Sequence, residues 1–146
     1  HTNLYPPGDY EQDKSAHKAV REFIEAGVPA EKLVMGIAFY GRSWIMKTDR
    51  NHGINMPVDS TLRGAGYTMI KDSIMQLPGF TRYWDEEAKA PYLFNEETNQ
   101  LFSYDDEESV RHKCEYAIEN NMGGVMFWQY ASDPKEYLLD EINKHL

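Results

Sequence analysis

The fold is decided by the stretch Leu33-Val34-Met35-Gly36-Ile37-Ala38-Phe39-Tyr40-Gly41-Arg42. Residues 33 to 40 form an apolar run of strand length. A run that is apolar on both faces predicts a strand buried on both sides, as in a parallel sheet covered by helices. Polar side chains follow at its carboxyl end, which is where the active sites of barrels built from parallel strands lie. Tyr40 and Arg42 are therefore candidate functional residues.

A second strand of this kind lies near the end of the chain, where Gly124 to Trp128 is followed by Gln129 and Tyr130. Residues 16 to 24, 110 to 118 and 138 to 146 have apolar side chains at helical spacing. This alternation of helices and buried strands predicts an α/β fold of parallel βα units. Helix starts are expected at three aspartates: Asp13, Asp106 and Asp133.

The middle of the chain differs in composition, because glycines and prolines divide it into short segments. One short helix is expected from Thr68 to about Leu77, and short strands are expected at Phe80–Trp84, Pro91–Phe94 and Leu101–Tyr104. We interpret this segment as a small α+β domain inserted into the chain. The predicted division is 1–41, 42–104 and 105–146, with the first and last parts belonging together.

Composition excludes several classes of function. The chain has 15 Lys and Arg against 24 Asp and Glu, a net charge of -9, which disfavours nucleic acid as a partner. No apolar run approaches the roughly 20 residues of a membrane helix, so we expect no membrane insertion. Cys114 is the single cysteine, and the five histidines are scattered, so neither a metal site nor a cofactor is expected.

The two strand ends together suggest carbohydrate binding. The apolar face of a pyranose stacks on an indole such as that of Trp128, while Tyr40 and Arg42 offer hydrogen bonds to its hydroxyls. The alternative is that Trp128 fills the core and Arg42 pairs with a carboxylate, and composition does not separate the two. Composition leaves two roles for Trp84 as well: it either lines the sugar cleft or packs on its own small sheet.

Two motifs carry a family resemblance. Residues Met35-Gly-Ile-Ala-Phe-Tyr-Gly-Arg42 resemble the seventh-strand signature of glycoside hydrolase family 18 chitinases, and Gly123-Gly-Val-Met-Phe-Trp128 resembles their eighth-strand signature. His1-Thr-Asn-Leu-Tyr5 is similar to the loop after their sixth strand. The resemblance implies the C-terminal part of a (β/α)8 TIM barrel with the small α+β chitinase insertion domain. A complete barrel needs roughly 250 residues, so we expect an incomplete one.

The resemblance also implies residue roles. Trp128 corresponds to the tryptophan under the sugar at the cleaved bond, and Tyr40 and Arg42 line the same subsite. The family cleaves β-1,4 linkages of N-acetylglucosamine by a substrate-assisted route, an exception to the two-carboxylate scheme. Its acid ends the motif D-x-x-D-x-D-x-E, which this sequence lacks. We therefore expect no catalytic residue here, and we interpret the tyrosine and aspartate of Phe102-Ser-Tyr-Asp105 as structural.

Several expectations follow for the molecule as a whole. The sequence looks like a piece of a longer polypeptide, inactive alone, whose partner is chitin or N-acetylglucosamine oligomers and whose location is extracellular, because insoluble chitin lies outside cells. Exposed apolar strands would favour self-association. The alternatives are part of a non-catalytic chitinase-like lectin, a peptidoglycan or spore-cortex hydrolase of the same family, and a purely structural interaction module.

Overall fold

A computed structural model describes residues 2–8 and 14–146 of the chain. Its helices are α1 (Ala16–Glu25), α2 (Tyr67–Asp72), α3 (Glu107–Glu119) and α4 (Tyr137–His145). Its strands are β1 (Val34–Ala38), β2 (Tyr40–Met46), β3 (Val58–Gly66), β4 (Phe80–Asp85), β5 (Ala90–Asn95), β6 (Gln100–Ser103) and β7 (Gly124–Trp128). The result is a mixed α/β fold, as the sequence predicts.

The described strands form two sheets of different kinds. β1 and β7 pair in parallel, with Val34 opposite Gly124 and Ala38 opposite Trp128. The other five strands form an antiparallel sheet in the order β3-β2-β6-β5-β4. The chain passes from one sheet to the other at Phe39, so the stretch from Leu33 to Tyr40 is not one continuous strand. Its last residue, Tyr40, begins β2 of the second sheet.

The parallel sheet is covered on one face only by the described residues, so within this chain it exposes apolar side chains, as expected for the 146-residue piece. Met35 and Ile37 are buried, whereas Val34 is 53% exposed, and Met126 on β7 is 48% exposed. Side chains alternate across a strand, and the helices pack against only one set of them. The opposite face, with Val34 and Met126, has no covering element among the described residues.

The core lies between the two sheets and the helices. Phe39 is fully buried and stacks on Phe127, with ring centroids 4.4 Å apart. Tyr67, Tyr104 and Val110 join the same cluster and connect α2, the end of β6 and α3. Because β1, the antiparallel sheet and α3 share this cluster, the strand ends are packed against the sheet that follows them.

Helix boundaries follow local capping chemistry. The carboxylate of Asp106 accepts the backbone N–H of Ser109, and the Ser109 hydroxyl accepts that of Asp106, a reciprocal cap at the expected start of α3. Ser15 caps α1, whereas the expected cap Asp13 lies outside the described residues, as does His1. α4 begins at Tyr137, later than expected, although the Asp133 carboxylate still accepts the Leu138 N–H.

No helix of the described chain is both long and apolar enough to cross a membrane. Likewise, residues 2–8 and 14–146 contain no group of three or more His, Cys, Asp or Glu side chains arranged to hold a metal ion. Burial raises the pKa of the Cys114 thiol to about 11, so this cysteine is a protonated core residue at neutral pH.

Candidate functional site

A cleft of about 360 Å³ opens where β1 and β7 end and β2 begins. Three of the residues predicted from sequence line it: Tyr40, Arg42 and Trp128. The other lining residues are Gly41, Gly64, Ala65, Gly66, Gln129 and Ser132. The fold therefore brings together residues from two strand ends that are more than 80 positions apart in the chain.

Trp128 presents its indole to solvent. It is 63% exposed, although the neighbouring Phe127 packs into the core against Phe39. The alternation of side chains along β7 produces this difference, because Met126 and Trp128 lie on the face that the helices leave uncovered. The peptide bond between Trp128 and Gln129 is cis. Trp128 is thus a surface platform and does not fill the core.

Arg42 lies on β2, opposite Ser103 of β6, with its side chain exposed. Within the part of the chain that the structure describes, its guanidinium has no hydrogen bond or ion pair. The alternative that Arg42 neutralises a carboxylate therefore has no support from the described residues. A planar cation with five donors therefore lies at the cleft, and no other described residue uses those donors.

Glycines allow β3 to close the wall of the cleft. A Cβ atom added to Gly64 would collide with the backbone carbonyl of Gly41, and one added to Gly66 would lie 2.5 Å from the carbonyl oxygen of Ser132. The pairing of β2 with β3 shifts register between Gly41 and Ser43, at the same place. Sequence reasoning did not place these residues, although the spacing Gly64-x-Gly66 is a signal of close backbone approach.

Trp84 lies elsewhere. It belongs to β4, at the far edge of the antiparallel sheet from β3, and its indole Nε1 donates to Glu86 at 2.8 Å. Its ring stacks on His112 with centroids 5.7 Å apart, and the guanidinium of Arg82 lies 5.5 Å from the ring. The structure does not bring Trp84 to the cleft, so its predicted part in sugar binding has no geometric support.

A second cavity, of about 410 Å³, lies over the antiparallel sheet and is lined by Trp44 and Tyr92 among others. Neither Arg42 nor Trp128 reaches it. Its lining residues include Pro7 and Lys14, which lie on either side of the undescribed residues 9–13 in the sequence. The smaller cleft remains the candidate site, because it joins exposed polar and aromatic groups at the carboxyl ends of parallel strands.

The chemistry available in the cleft is that of binding. An indole, a phenol and a guanidinium can stack on a sugar and hydrogen-bond its hydroxyls. No carboxylate is among the described residues that line the cleft. The aspartate that imitates a catalytic motif, Asp105, is fully buried and paired with Lys113. The described lining residues therefore offer stacking and hydrogen-bonding groups but no carboxyl group.

Comparison with known proteins gives the class to which this fold and cleft belong. The family model of glycosyl hydrolases family 18 matches residues 1–133. The chain is a member of glycosyl hydrolases family 18. This confirms the family suggested by the two strand-end motifs.

Among curated relatives, the chain is 34% identical over 130 residues to chitinase A1 of Niallia circulans, covering 84% of this chain and 19% of that protein. It is 32% identical over 134 residues to endochitinase 1 of Metarhizium robertsii, covering 90% and 31%. Among solved structures, it resembles a family 18 N-acetylglucosaminidase of Paenibacillus barengoltzii, with a TM-score of 0.93 and 42% identity, covering 100% of this chain and 43% of that one.

A chitinase of Cycas revoluta solved in complex with (GlcNAc)4 also matches, with a TM-score of 0.84 and 27% identity, covering 98% of this chain and 40% of that one. The chain thus spans from about a fifth to a third of the two curated relatives and less than half of these two solved chains.

Proposed function

We propose that this chain supplies the sugar-binding part of a chitinase active site, which holds the N-acetylglucosamine unit at the cleaved β-1,4 linkage. Residues 1–41 are a barrel portion with helix six and strand seven, and residues 105–146 are a barrel portion with helix seven, strand eight and helix eight. Residues 42–104 are the insertion domain. The observation that carries this proposal is the exposed indole of Trp128 in one cleft with Tyr40 and with the exposed side chain of Arg42, whose guanidinium has no hydrogen bond or ion pair to another described residue.

The division of labour follows from the shape of a pyranose. Its apolar face lies on the Trp128 ring, so that apolar area on both partners is removed from water. Arg42 and Tyr40 hydrogen-bond the hydroxyls at the rim, because a guanidinium offers five donors and a phenol can both donate and accept. These contacts orient the sugar without transferring a proton.

Catalysis needs a group from outside the described cleft. In the substrate-assisted, retaining route, a glutamic acid protonates the leaving oxygen while the acetamido oxygen of the substrate attacks the anomeric carbon. The motif that ends in this glutamate does not occur in the 146 residues. We therefore expect no hydrolysis by the 146-residue chain on its own, although it should bind the substrate.

The names of similar proteins support this substrate class. The relatives are chitinases and an N-acetylglucosaminidase, and one similar structure holds (GlcNAc)4. Chitin is insoluble and lies outside cells, so we place the activity in the extracellular space.

Calorimetry with the N-acetylglucosamine tetramer tests the proposal. The wild-type chain should bind the tetramer, Trp128→Ala should weaken binding by about tenfold or more, and Trp84→Ala should bind like the wild type, because it removes an indole away from the cleft. None of the three should release product. Equal losses in the two tryptophan variants, or product release by the wild type above the Trp128→Ala level, would contradict the proposal.

A further inference from the structure

A buried carboxylate connects the end of the antiparallel sheet to the strand that carries the cleft. Asp105 follows β6 and Tyr104, directly before the helix cap Asp106, and its side chain is fully buried. One of its oxygens, Oδ2, accepts the backbone N–H of Ala38 at 3.0 Å. Ala38 is the last residue of β1, two positions before Tyr40.

The carboxylate is saturated with donors. The ammonium of Lys113, itself 3% exposed, donates to Oδ1 at 2.8 Å and to Oδ2 at 2.7 Å. The hydroxyl of Ser109 donates to Oδ1 at 2.9 Å. Each oxygen thus accepts two hydrogen bonds, and both charges are compensated within the core. The side chain of Asp105 has little freedom to move relative to α3, because two residues of that helix hold it.

The hydrogen bond to Asp105 satisfies a backbone N–H at the end of β1. The next residue, Phe39, donates its N–H to the carbonyl of Trp128 at 2.9 Å and accepts from the N–H of Tyr67 at 2.9 Å. Both of those bonds are between backbone groups. The Ala38 N–H points the other way, and Asp105 supplies the acceptor that a neighbouring backbone would otherwise provide.

Tyr104, the residue before Asp105, contacts Gly41 of the cleft. A Cβ added to Gly41 would lie 3.0 Å from the Cβ of Tyr104, so these two residues are in close contact. Gly41 stands between Tyr40 and Arg42. Tyr40 and Arg42 follow Ala38 by two and four residues, at about 3.3 Å per strand residue. A rotation of the backbone at Ala38 therefore displaces both side chains in the cleft.

We propose that Asp105, fixed by Lys113 and Ser109, is a positioning residue that holds the end of β1 so that Tyr40 and Arg42 face the sugar. It does not touch the substrate. A buried ion pair is often replaceable by apolar residues without loss of stability, so the role assigned to this pair is to hold the acceptor of the Ala38 N–H in place. This inference rests on the proposed function, because it concerns the same cleft.

Two double variants that differ at one position test it. Asp105→Asn/Lys113→Met and Asp105→Leu/Lys113→Met both remove the buried charges. Asparagine keeps a carbonyl oxygen for the Ala38 N–H, and leucine is of similar size without an acceptor. The asparagine variant should bind the N-acetylglucosamine tetramer within about twofold of the wild type. The leucine variant should bind about tenfold more weakly, because a strand end without this hydrogen bond populates the binding-competent conformation less.

Amide hydrogen exchange gives a second readout that does not require sugar. The amides of residues 40 to 42 should exchange about tenfold faster in the leucine variant than in the asparagine variant, while those of α4 should not differ between the two. Equal affinity and equal exchange in two folded variants would overturn the proposal.

Two other outcomes also decide the proposal: a leucine variant that does not fold, and a wild type that does not bind the tetramer. If the leucine variant does not fold, the Ala38 amide in the folded asparagine variant must remain as protected as in the wild type, and loss of its protection overturns the proposal. If the wild type binds no tetramer, the proposed function fails, and the exchange comparison still decides whether Asp105 positions the strand end.

Discussion

At the scale of single residues, the cleft depends on its glycines as much as on its polar and aromatic side chains. Gly41 lies between the two wall residues, and an added methyl group would meet Ile70 Cδ1 at 2.7 Å as well as the Cβ of Tyr104. Backbone and core therefore approach each other directly behind Tyr40 and Arg42.

A Gly41→Ala substitution should consequently lower the free energy of unfolding by about 1–3 kcal/mol, the range for overpacking a core. Part of this loss should be recovered in Gly41→Ala/Ile70→Val, because valine lacks the Cδ1 atom that makes the shortest contact. Chemical denaturation of the two variants and of Ile70→Val alone measures the coupling. Strict additivity of the two substitutions would show that the contact with Ile70 is not the source of the loss.

Sequence reasoning predicted three of the cleft residues because their chemistry stands out at the end of apolar runs. Tyr40, Arg42 and Trp128 are polar or aromatic groups at strand ends, and the family motif names the same positions. Gly64 and Gly66 were missed because a glycine contributes only close approach, and the partner in that approach is known only from the fold. Trp84 is ambiguous in sequence because packing and binding both favour an indole.

At the scale of elements, β1 and β3 show which strand features the hydropathy pattern of the sequence predicts and which it does not. An apolar run from Leu33 to Tyr40 predicts a strand, but the change of sheet at Phe39 has no signal in hydropathy. β3 was missed because residues 58 to 64 are exposed and lack an alternating apolar face, as is common for an edge strand. The helix α3 was predicted well, since the Asp106 cap and its apolar spacing are both local.

The contact between α2 and α3 holds the antiparallel sheet and the helices together. Glu107, in the first turn of α3, accepts hydrogen bonds from Tyr67 and Lys71 of α2. Burial favours the neutral form of the Glu107 carboxyl, but these two donors outweigh it and hold its pKa below the usual value. The charged form of Glu107 therefore stabilises the folded state.

The sign of the pH dependence follows from that direction. A carboxyl whose pKa is lowered by folding contributes stability that is fully present above its unfolded pKa of about 4.3 and is lost as the pH falls through its folded pKa. Glu107→Gln should be less stable than the wild type by about 1 kcal/mol at pH 7, a value reduced for partial exposure. The difference should close in the acid range.

Urea denaturation of the two proteins between pH 3 and pH 7 measures this difference. Glu31→Gln, which removes an exposed charge outside α2 and α3, serves as the control and should follow the wild type. A gap between Glu107→Gln and the wild type that stays constant with pH would show that the carboxylate charge is not the stabilising feature.

At the scale of the whole molecule, the parallel sheet leaves an apolar face open. Val34, Met126 and Trp128 lie on it, each about half exposed or more. Such a patch on paired strands favours association with another apolar surface. In the proposed parent enzyme this face would meet the remaining barrel strands, and in the 146-residue chain alone a second copy can cover it.

We therefore predict that the purified 146-residue chain self-associates. Light scattering should show a mass that increases with concentration, and Val34→Lys should shift the distribution toward monomer, because a charge on this face must be desolvated on association. Leu77→Lys, which changes an equally exposed apolar residue outside the parallel sheet, should leave the distribution unchanged. A monodisperse monomer at all concentrations would contradict the prediction.

The cleft of Tyr40, Arg42 and Trp128 is proposed to bind N-acetylglucosamine units, and the tryptophan indoles of the chain can report this binding directly. The chain has three tryptophans, so its three indole N–H resonances form a simple spectrum for a titration with the N-acetylglucosamine tetramer. The Trp128 resonance should shift in a saturable manner while the Trp84 resonance stays in place. A Trp128 resonance that does not move, or a saturable shift at Trp84 alone, would contradict this prediction.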